Sequence, residues 1–452
     1  MSIHEPLLLD AARRAARHLD SLAERPVAPP RDAVAKLREA LSGALPEAGV
    51  APDAVVAELD ALGAAATVAT PGPRYFGFVT GAALPASVAA GMLAVAWDQN
   101  AFSFTSSPVG ALYEETALRW LAELLGLPSA CGGALVTGAT LANVTALAAA
   151  RHALLARAGW DVEAQGLFGA PELPVYVGAE VHASVRKALG LVGLGRDRVQ
   201  VLPVDAQGRI RCDALPKLAA NALVCAQAGN VNSGASDEFA ALRAWCDGAG
   251  AWLHVDGAFG LFAAASPRLR AQVAGVERAD SWATDCHKWL NVPYDCGAVF
   301  VRDASALRGA MAMDASYLPA QPVREPFLHS PELSRRARGI EVWAALRSLG
   351  SNGVADLVER CCRLAARFAD GLRAAGHEVL NEVALNQVVV AFGDAARCAS
   401  VIERIQEAGV CWCGPTQWRG RAAMRISVSG WSTGDEDVDR SLASILRCAA
   451  EA

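Results

Sequence analysis

Between about residues 85 and 300, short β-branched apolar runs alternate with segments of helical spacing, and this alternation limits the fold more than any other feature of the chain. The runs are GGALVTG, PVYVGAE, VQVLPVD, ALVCAQAG, WLHVDGA, SWATD and GAVFVRD. Strands that alternate with helices need crossover connections, which produce a mostly parallel sheet covered on both faces. Ligands of such sheets sit beyond the carboxyl ends of the strands. The residues that follow each run are therefore where chemistry is expected.

The rest of the chain frames this α/β region. Residues 1 to about 70 are rich in Ala, Arg, Leu and Glu with helical spacing, broken by ERPVAPPRD, which predicts two helices joined by a stiff elbow. The Pro-rich segment 303–334 lacks periodicity and reads as an extended or mobile loop. A long helical pattern runs from Arg335 through the 370s, and the alternating runs NQVVVAFGD and MRISVSG predict a smaller α+β domain. The expected division is an N-terminal helical segment over 1–84, a large domain over 85–334 and a small domain over 335–452. The length of 452 residues suits such an arrangement better than one core.

Several function classes lose ground on composition. Apolar residues make up 53% of the chain and charged residues 19%, and 41 Lys+Arg against 47 Asp+Glu leave a net charge of -6, which gives nucleic acid nothing to bind. The stretches 75–97 and 124–150 carry no charge, yet Gly, Pro, Thr and Asn interrupt both, so they read as buried core rather than membrane spans. The N-terminus lacks the features of a secretory signal. Twelve dispersed cysteines without C-x-x-C, and eight histidines in no zinc-like spacing with them, read as free thiols in a cytoplasmic protein with no metal site.

Lys288 lies in SWATDCHKWLNVPYDCG, and Asp256 lies in WLHVDGAFG about thirty residues earlier. A lysine that forms a Schiff base with an aldehyde cofactor, and an acid that keeps a pyridine nitrogen protonated, are the minimum set for pyridoxal-phosphate chemistry. A lysine alone is ordinarily a solvated surface group; here Trp289, Leu290, Val292 and Pro293 give an apolar, turn-rich setting. An Asp after a strand is often only a helix cap, but small Gly257 and Ala258 follow Asp256, where a flat ring needs close approach. Phosphate needs a cradle, and VTGATLANVTAL offers a strand end, the turn Thr137, Gly138, Ala139, Thr140, and a helix start. It matches neither nucleotide-binding glycine motif. His182, just after the strand VYVG, either stacks on a cofactor ring or serves as a cap, and His287 is placed to reach phosphate.

These motifs together, with PRYFGFVTG, EVHASVRKAL and QAGNVNSGA, resemble the group II pyridoxal-phosphate-dependent amino acid decarboxylases, a family with the fold type I architecture. The similarity runs from roughly residue 70 to 440. It implies that Lys288 holds the cofactor as an imine and that Asp256 pairs with the pyridinium. His182 and Ala258 would sandwich the ring. Gly138, Ala139, Thr140 and His287 would hold the phosphate, with Asn230 and Asp285 also in the cofactor set. An acid beside a phosphate dianion is unfavourable, so Asp285 is expected to face elsewhere.

The resemblance further implies that Tyr317, on the loop and supplied across a homodimer interface, returns a proton after carbon dioxide leaves. Arg335 would stand near the far end of that loop and belong to the substrate-binding set. Phe78 and Val79 align with the substrate-facing stretch, and Trp97, Phe102 and Phe104 could add to an apolar wall or simply pack in the core. An apolar pocket without a clear arginine would favour an aromatic or bulky L-amino acid. The alternatives are an aldehyde synthase, aldolase or aminotransferase on the same fold, and a non-catalytic cofactor-binding regulator.

Overall fold

The computed structural model describes residues 4–313 and 323–452. The chain gathers into two compact units that do not follow sequence order. One comprises the chain up to Ala82 with Arg367–Leu380 and Val389–Ala452; the other comprises Ala83–Ala366 with Asn381–Val388.

All seven runs form strands of one sheet in the second unit. They are β1 (Gly132–Val136), β2 (Val175–Gly178), β3 (Val199–Leu202), β4 (Leu223–Gln227), β5 (Trp252–Asp256), β6 (Ser281–Asp285) and β7 (Gly297–Val301). Their order is β1-β7-β6-β5-β4-β2-β3. The β2, β3, β4, β5 and β6 neighbours pair in parallel, whereas β7 is antiparallel to both β1 and β6. The link from β6 to β7 holds no helix to cross over the sheet, so β7 returns beside β6 with Asp285 opposite Gly297.

Residues of β1, β4, β5, β6 and β7 are buried throughout, which explains why these runs are apolar on both faces, while edge strand β3 exposes Gln200 and Val201. The Ala139–Arg157 helix lies close against the sheet because its buried positions are mostly alanine: Ala142, Ala146, Ala149 and Ala150 are fully buried. Close approach is also required where β7 begins. A Cβ on Gly297 would sit 2.6 Å from the Gly138 backbone, so only glycine lets β7 touch the turn after β1.

Two local expectations are corrected. The segment read as a loop from 303 begins with a helix, Ala304–Met311, because Asp303 caps it by accepting the Ser305 N–H at 2.9 Å and Ala306 and Leu307 are buried. The N-terminal region forms three helices, His4–Ser21, Arg31–Ala40 and Pro52–Ala66, because the second helical stretch stops at Ala40 and resumes only at Pro52. None of the three buries a side chain. The helical pattern after Arg335 is the Gly339–Ala374 helix, broken at Gly350, whose φ of 62° leaves the helical region.

The smaller sheet contains β8 (Glu378–Val379), β9 (Gln387–Ala391), β10 (Gly414–Trp418) and β11 (Arg421–Ser427) in the order β10-β11-β9-β8. Helices Ala395–Ala408 and Asp435–Ala450 pack together in the same unit.

Candidate active site

A cavity of about 340 Å³ opens where β4, β5 and β6 end and the Ala139–Arg157 helix begins. Lys288 reaches it from a turn that starts at the end of β6. Trp289 and Leu290 are fully buried and anchor this turn. Asn291 closes it in the left-handed region, φ 56°, donating its backbone N–H to the Lys288 carbonyl at 3.1 Å and its Nδ2 to the carbonyls of Lys288 and Trp289.

Asp256 ends β5, opposite Ala283 of β6, and is buried. Its Oδ1 accepts the Ala258 N–H at 3.2 Å. Loss of water raises the pKa of its carboxyl; His182 and Lys288 pull the other way. A buried acid held near its ordinary charge by His182 and Lys288 suits a partner for a protonated ring nitrogen. Ala258 and His182 line the same cavity. His182 is also a helix cap, since its Nδ1 accepts the Ser184 N–H at 3.2 Å and lies 2.7 Å from Ser184 Oγ. The cap and cavity readings hold together.

Asp285 does not face elsewhere. It lines the cavity, with Oδ1 accepting the Ala139 N–H at 2.5 Å, Oδ2 at 2.9 Å from Lys288 Nζ, and Oδ1 at 3.5 Å from His287 Nε2. The helix start, the lysine and the histidine form an anion-binding group, and the carboxylate satisfies it. The same donors, with Gly138 and Thr140 in the wall, suit a phosphate. His287 accepts the Cys296 N–H on Nδ1 at 3.2 Å and stacks on Tyr294, which leaves Nε2 directed at Asp285. Burial holds its pKa below the usual imidazole value, against the pull of Asp285.

Other expected residues lie apart from this cavity. Asn230 spends its amide on a turn: Oδ1 accepts the N–H groups of Asn232 and Ser233, and the cavity wall is made by neighbouring Gly229 and Val231. Arg335, expected near the substrate, has a fully buried guanidinium held by Glu114 at 2.7 Å and the Leu135 carbonyl at 2.5 Å. Burial opposes ionisation of Glu114, but Arg335 and Arg324 outweigh it and keep the acid below its ordinary pKa. Trp97 is partly exposed at the end of the Pro85–Trp97 helix, Phe102 packs on Phe327, and the Phe104 N–H binds Glu325. Tyr317 lies outside the described residues.

Phe78 and Val79 belong to the first unit. Both are in the left-handed region, φ 54° and 55°, which is unusual for an aromatic and rarer still for a β-branched residue. Phe78 stacks on Trp412 with ring centres 5.4 Å apart, yet remains 68% exposed. Such strain, of order 1–3 kcal/mol per residue, persists only where the surroundings enforce it. Trp412 also lies against the preceding residue, where a Cβ on Gly77 would fall 2.2 Å from its ring.

Sequence reasoning missed Gln227 and Phe259, which line the cavity after β4 and β5; their places beside QAG and DGA were the available signal.

The pyridoxal-dependent decarboxylase conserved domain matches residues 39–393. Tryptophan decarboxylase 1 of Oryza sativa subsp. japonica is 29% identical over 416 residues, 83% of this chain and 80% of that protein. The aromatic-L-amino-acid decarboxylase of Bacillus atrophaeus is 30% identical over 346 residues, 74% and 70% of the two chains. The crystal structure of Oryza sativa TDC with PLP and tryptamine superposes with a TM-score of 0.90 at 24% identity, covering 99% of this chain and 97% of that one. Fold, cavity chemistry and sequence agree: the chain belongs to the pyridoxal-dependent decarboxylase family and is a carboxy-lyase whose cofactor is pyridoxal phosphate.

Proposed function

We propose that this decarboxylase acts on an L-amino acid with an aromatic or other bulky apolar side chain and releases the amine and carbon dioxide. The observation that carries the substrate class is the lining of the cavity: Lys288 is the only Lys or Arg among the described residues that form it. A distal carboxylate, as on glutamate, would have no arginine there. The two relatives named for tryptophan and aromatic amino acids support the same class.

When bound, the cofactor supplies an electron sink for the pair left as the substrate carboxylate departs. Lys288 provides the attachment point. Asp256, buried at the end of β5, holds positive charge on the ring nitrogen, which makes that sink effective. The Ala139 N–H, Thr140 and His287 would hold the phosphate, and Ala258 and His182 would flank the ring. Orientation then selects the bond that breaks. Tyr317 is assigned the return of a proton to the α-carbon.

We place the enzyme in the cytoplasm as a homodimer with a shared active site. Twelve unpaired cysteines suit a reducing compartment, and among the described residues no helix is long and apolar enough to cross a membrane. Met92, Leu93 and Val95 expose an apolar surface on the Pro85–Trp97 helix.

The test is product analysis of the purified holoenzyme with L-tryptophan, L-tyrosine, L-phenylalanine, L-histidine and L-glutamate. Amine and carbon dioxide should form in equal amounts from an aromatic substrate, without ammonia or peroxide. Lys288→Ala should lower the rate roughly a thousandfold or more. Aldehyde with ammonia would replace the reaction type, and preference for glutamate would replace the substrate class.

A further inference from the structure

Beneath the cavity lies a chain of polar side chains inside an otherwise apolar core. Trp252, His254 and Asp256 share one face of β5, since alternate residues of a strand point the same way. His254 is fully buried and pairs in register with Ser281 of β6. Its Nδ1 is 2.9 Å from Ser281 Oγ, and its Nε2 is 2.8 Å from Asn143 Oδ1. Asn143 stands one turn after Ala139 on the same helix face and reaches Ser184 Oγ with Nδ2 at 3.5 Å. Ser184 Oγ lies 2.7 Å from His182 Nδ1. At the far end the Trp252 indole donates to Ser281 Oγ at 2.9 Å.

We propose that Asn143 and His254 are positioning residues: together with Ser281 and Ser184 they form a one-way hydrogen-bond chain that fixes the proton of the neutral His182 ring on Nε2. This rests on His182 being a cavity residue of the decarboxylase. The direction follows from donor count. Trp252 can only donate, so Ser281 Oγ accepts from it and turns its own proton to His254 Nδ1. Burial lowers the His254 pKa to about 3, so the ring is neutral and its single proton is on Nε2, donated to Asn143 Oδ1. Asn143 then faces Ser184 with its Nδ2 donor. Ser184 Oγ accepts and passes its proton to His182 Nδ1, which the Ser184 backbone N–H also approaches at 3.2 Å. Two donors on Nδ1 leave Nε2 to carry the proton. The bond made by one imidazole nitrogen decides the state of the other. Asp256 is the charged neighbour that acts on His182 from β5.

The chain accounts for the cost of a histidine and an asparagine in the core. It also makes His182 a flat ring with a defined N–H donor, rather than a mixture of tautomers.

The test uses the holoenzyme labelled with 15N-histidine, with His182 assigned by the signal lost in His182→Gln. The wild type should show the Nε2–H tautomer at His182. Asn143→Asp has the same shape but no donor, so Ser184 Oγ–H turns toward the new carboxylate and presents lone pairs to Nδ1. Nδ1 then keeps only the longer backbone N–H of Ser184 at 3.2 Å, so the Nδ1–H tautomer should gain population against it, with kcat falling about tenfold and KM changing less than about threefold. Ser281→Ala, remote from the cavity, breaks the first link and should produce the same tautomer change if Asn143→Asp does not fold. A purely structural role would lower the melting temperature and leave the tautomer unchanged, and that result in Ser281→Ala overturns the proposal. The nitrogen signal is read without turnover, so failure of the substrate assignment would leave this test intact.

Discussion

Asp285 puts a negative charge where the cofactor must bring its own. Its Oδ1 occupies the Ala139 N–H at 2.5 Å, and a phosphate that takes this donor must displace the carboxylate while leaving it nearby. At an effective dielectric near 20, unit charges about 5 Å apart repel by roughly 3 kcal/mol, which the Lys288 contact at 2.9 Å partly offsets. Asp285→Asn removes the repulsion. Its apoenzyme should bind pyridoxal phosphate about tenfold more tightly, equal to about 1.4 kcal/mol, as read by absorbance during reconstitution. Weaker binding would show that the carboxylate instead helps the site by holding Lys288. The sequence revealed Lys288 and Asp256 because the chemistry demands those residue types beside apolar runs. It misplaced Asp285 because charge repulsion was weighed without the donors that the fold brings to it. Arg335 was misread for a similar reason: its partner Glu114 lies far away in sequence, and no local pattern announces a buried ion pair.

At the level of elements, the strands were legible because both sheet faces are covered and every buried position must be apolar. Short helices were not: a single Asp303 cap and two buried residues sufficed to order Ala304–Met311 inside a Pro-rich stretch. The connections after the strands carry their own electrostatics. Asp237 follows β4 and accepts the N–H groups of Ile210 and Gln227, each at 2.7 Å, tying this connection to the sheet. Burial raises its pKa to about 6. A raised folded-state pKa means stability that is present below the unfolded value near 4 and lost as the pH rises through about 6. The loss amounts to roughly 3 kcal/mol by pH 7. Asp237→Asn cannot titrate, so the difference in stability between variant and wild type should move in favour of the variant between pH 4 and pH 7. Denaturant midpoints of the two apoproteins across that range measure it; parallel pH profiles would show that Asp237 keeps an ordinary pKa.

For the whole molecule, the unsatisfied surface is apolar. The Pro85–Trp97 helix has no charged residue, and an uncharged helix that is apolar on every side is expected to be buried. Val95 is nevertheless 74% exposed and Leu93 54%. Leu8, Leu9 and Leu59 on the N-terminal helices are also exposed, although Arg14 links two of those helices through Asp10 and Asp60. The sequence showed this incompletely, because an apolar stretch reads alike whether its own core or a second copy covers it. A homodimer that buries the Pro85–Trp97 helix removes the exposure, and the segment carrying Phe102 and Phe104 follows that helix directly. Val95→Glu would place a carboxylate in such an interface at a cost of several kcal/mol, while remaining solvated in the isolated chain. Sedimentation should show the wild type as a dimer and Val95→Glu as a monomer with unchanged far-ultraviolet circular dichroism. Decarboxylation should fall in step with dissociation. A Val95→Glu monomer with full activity would mean that each chain completes its own site, and a wild-type monomer would leave the helix without a partner.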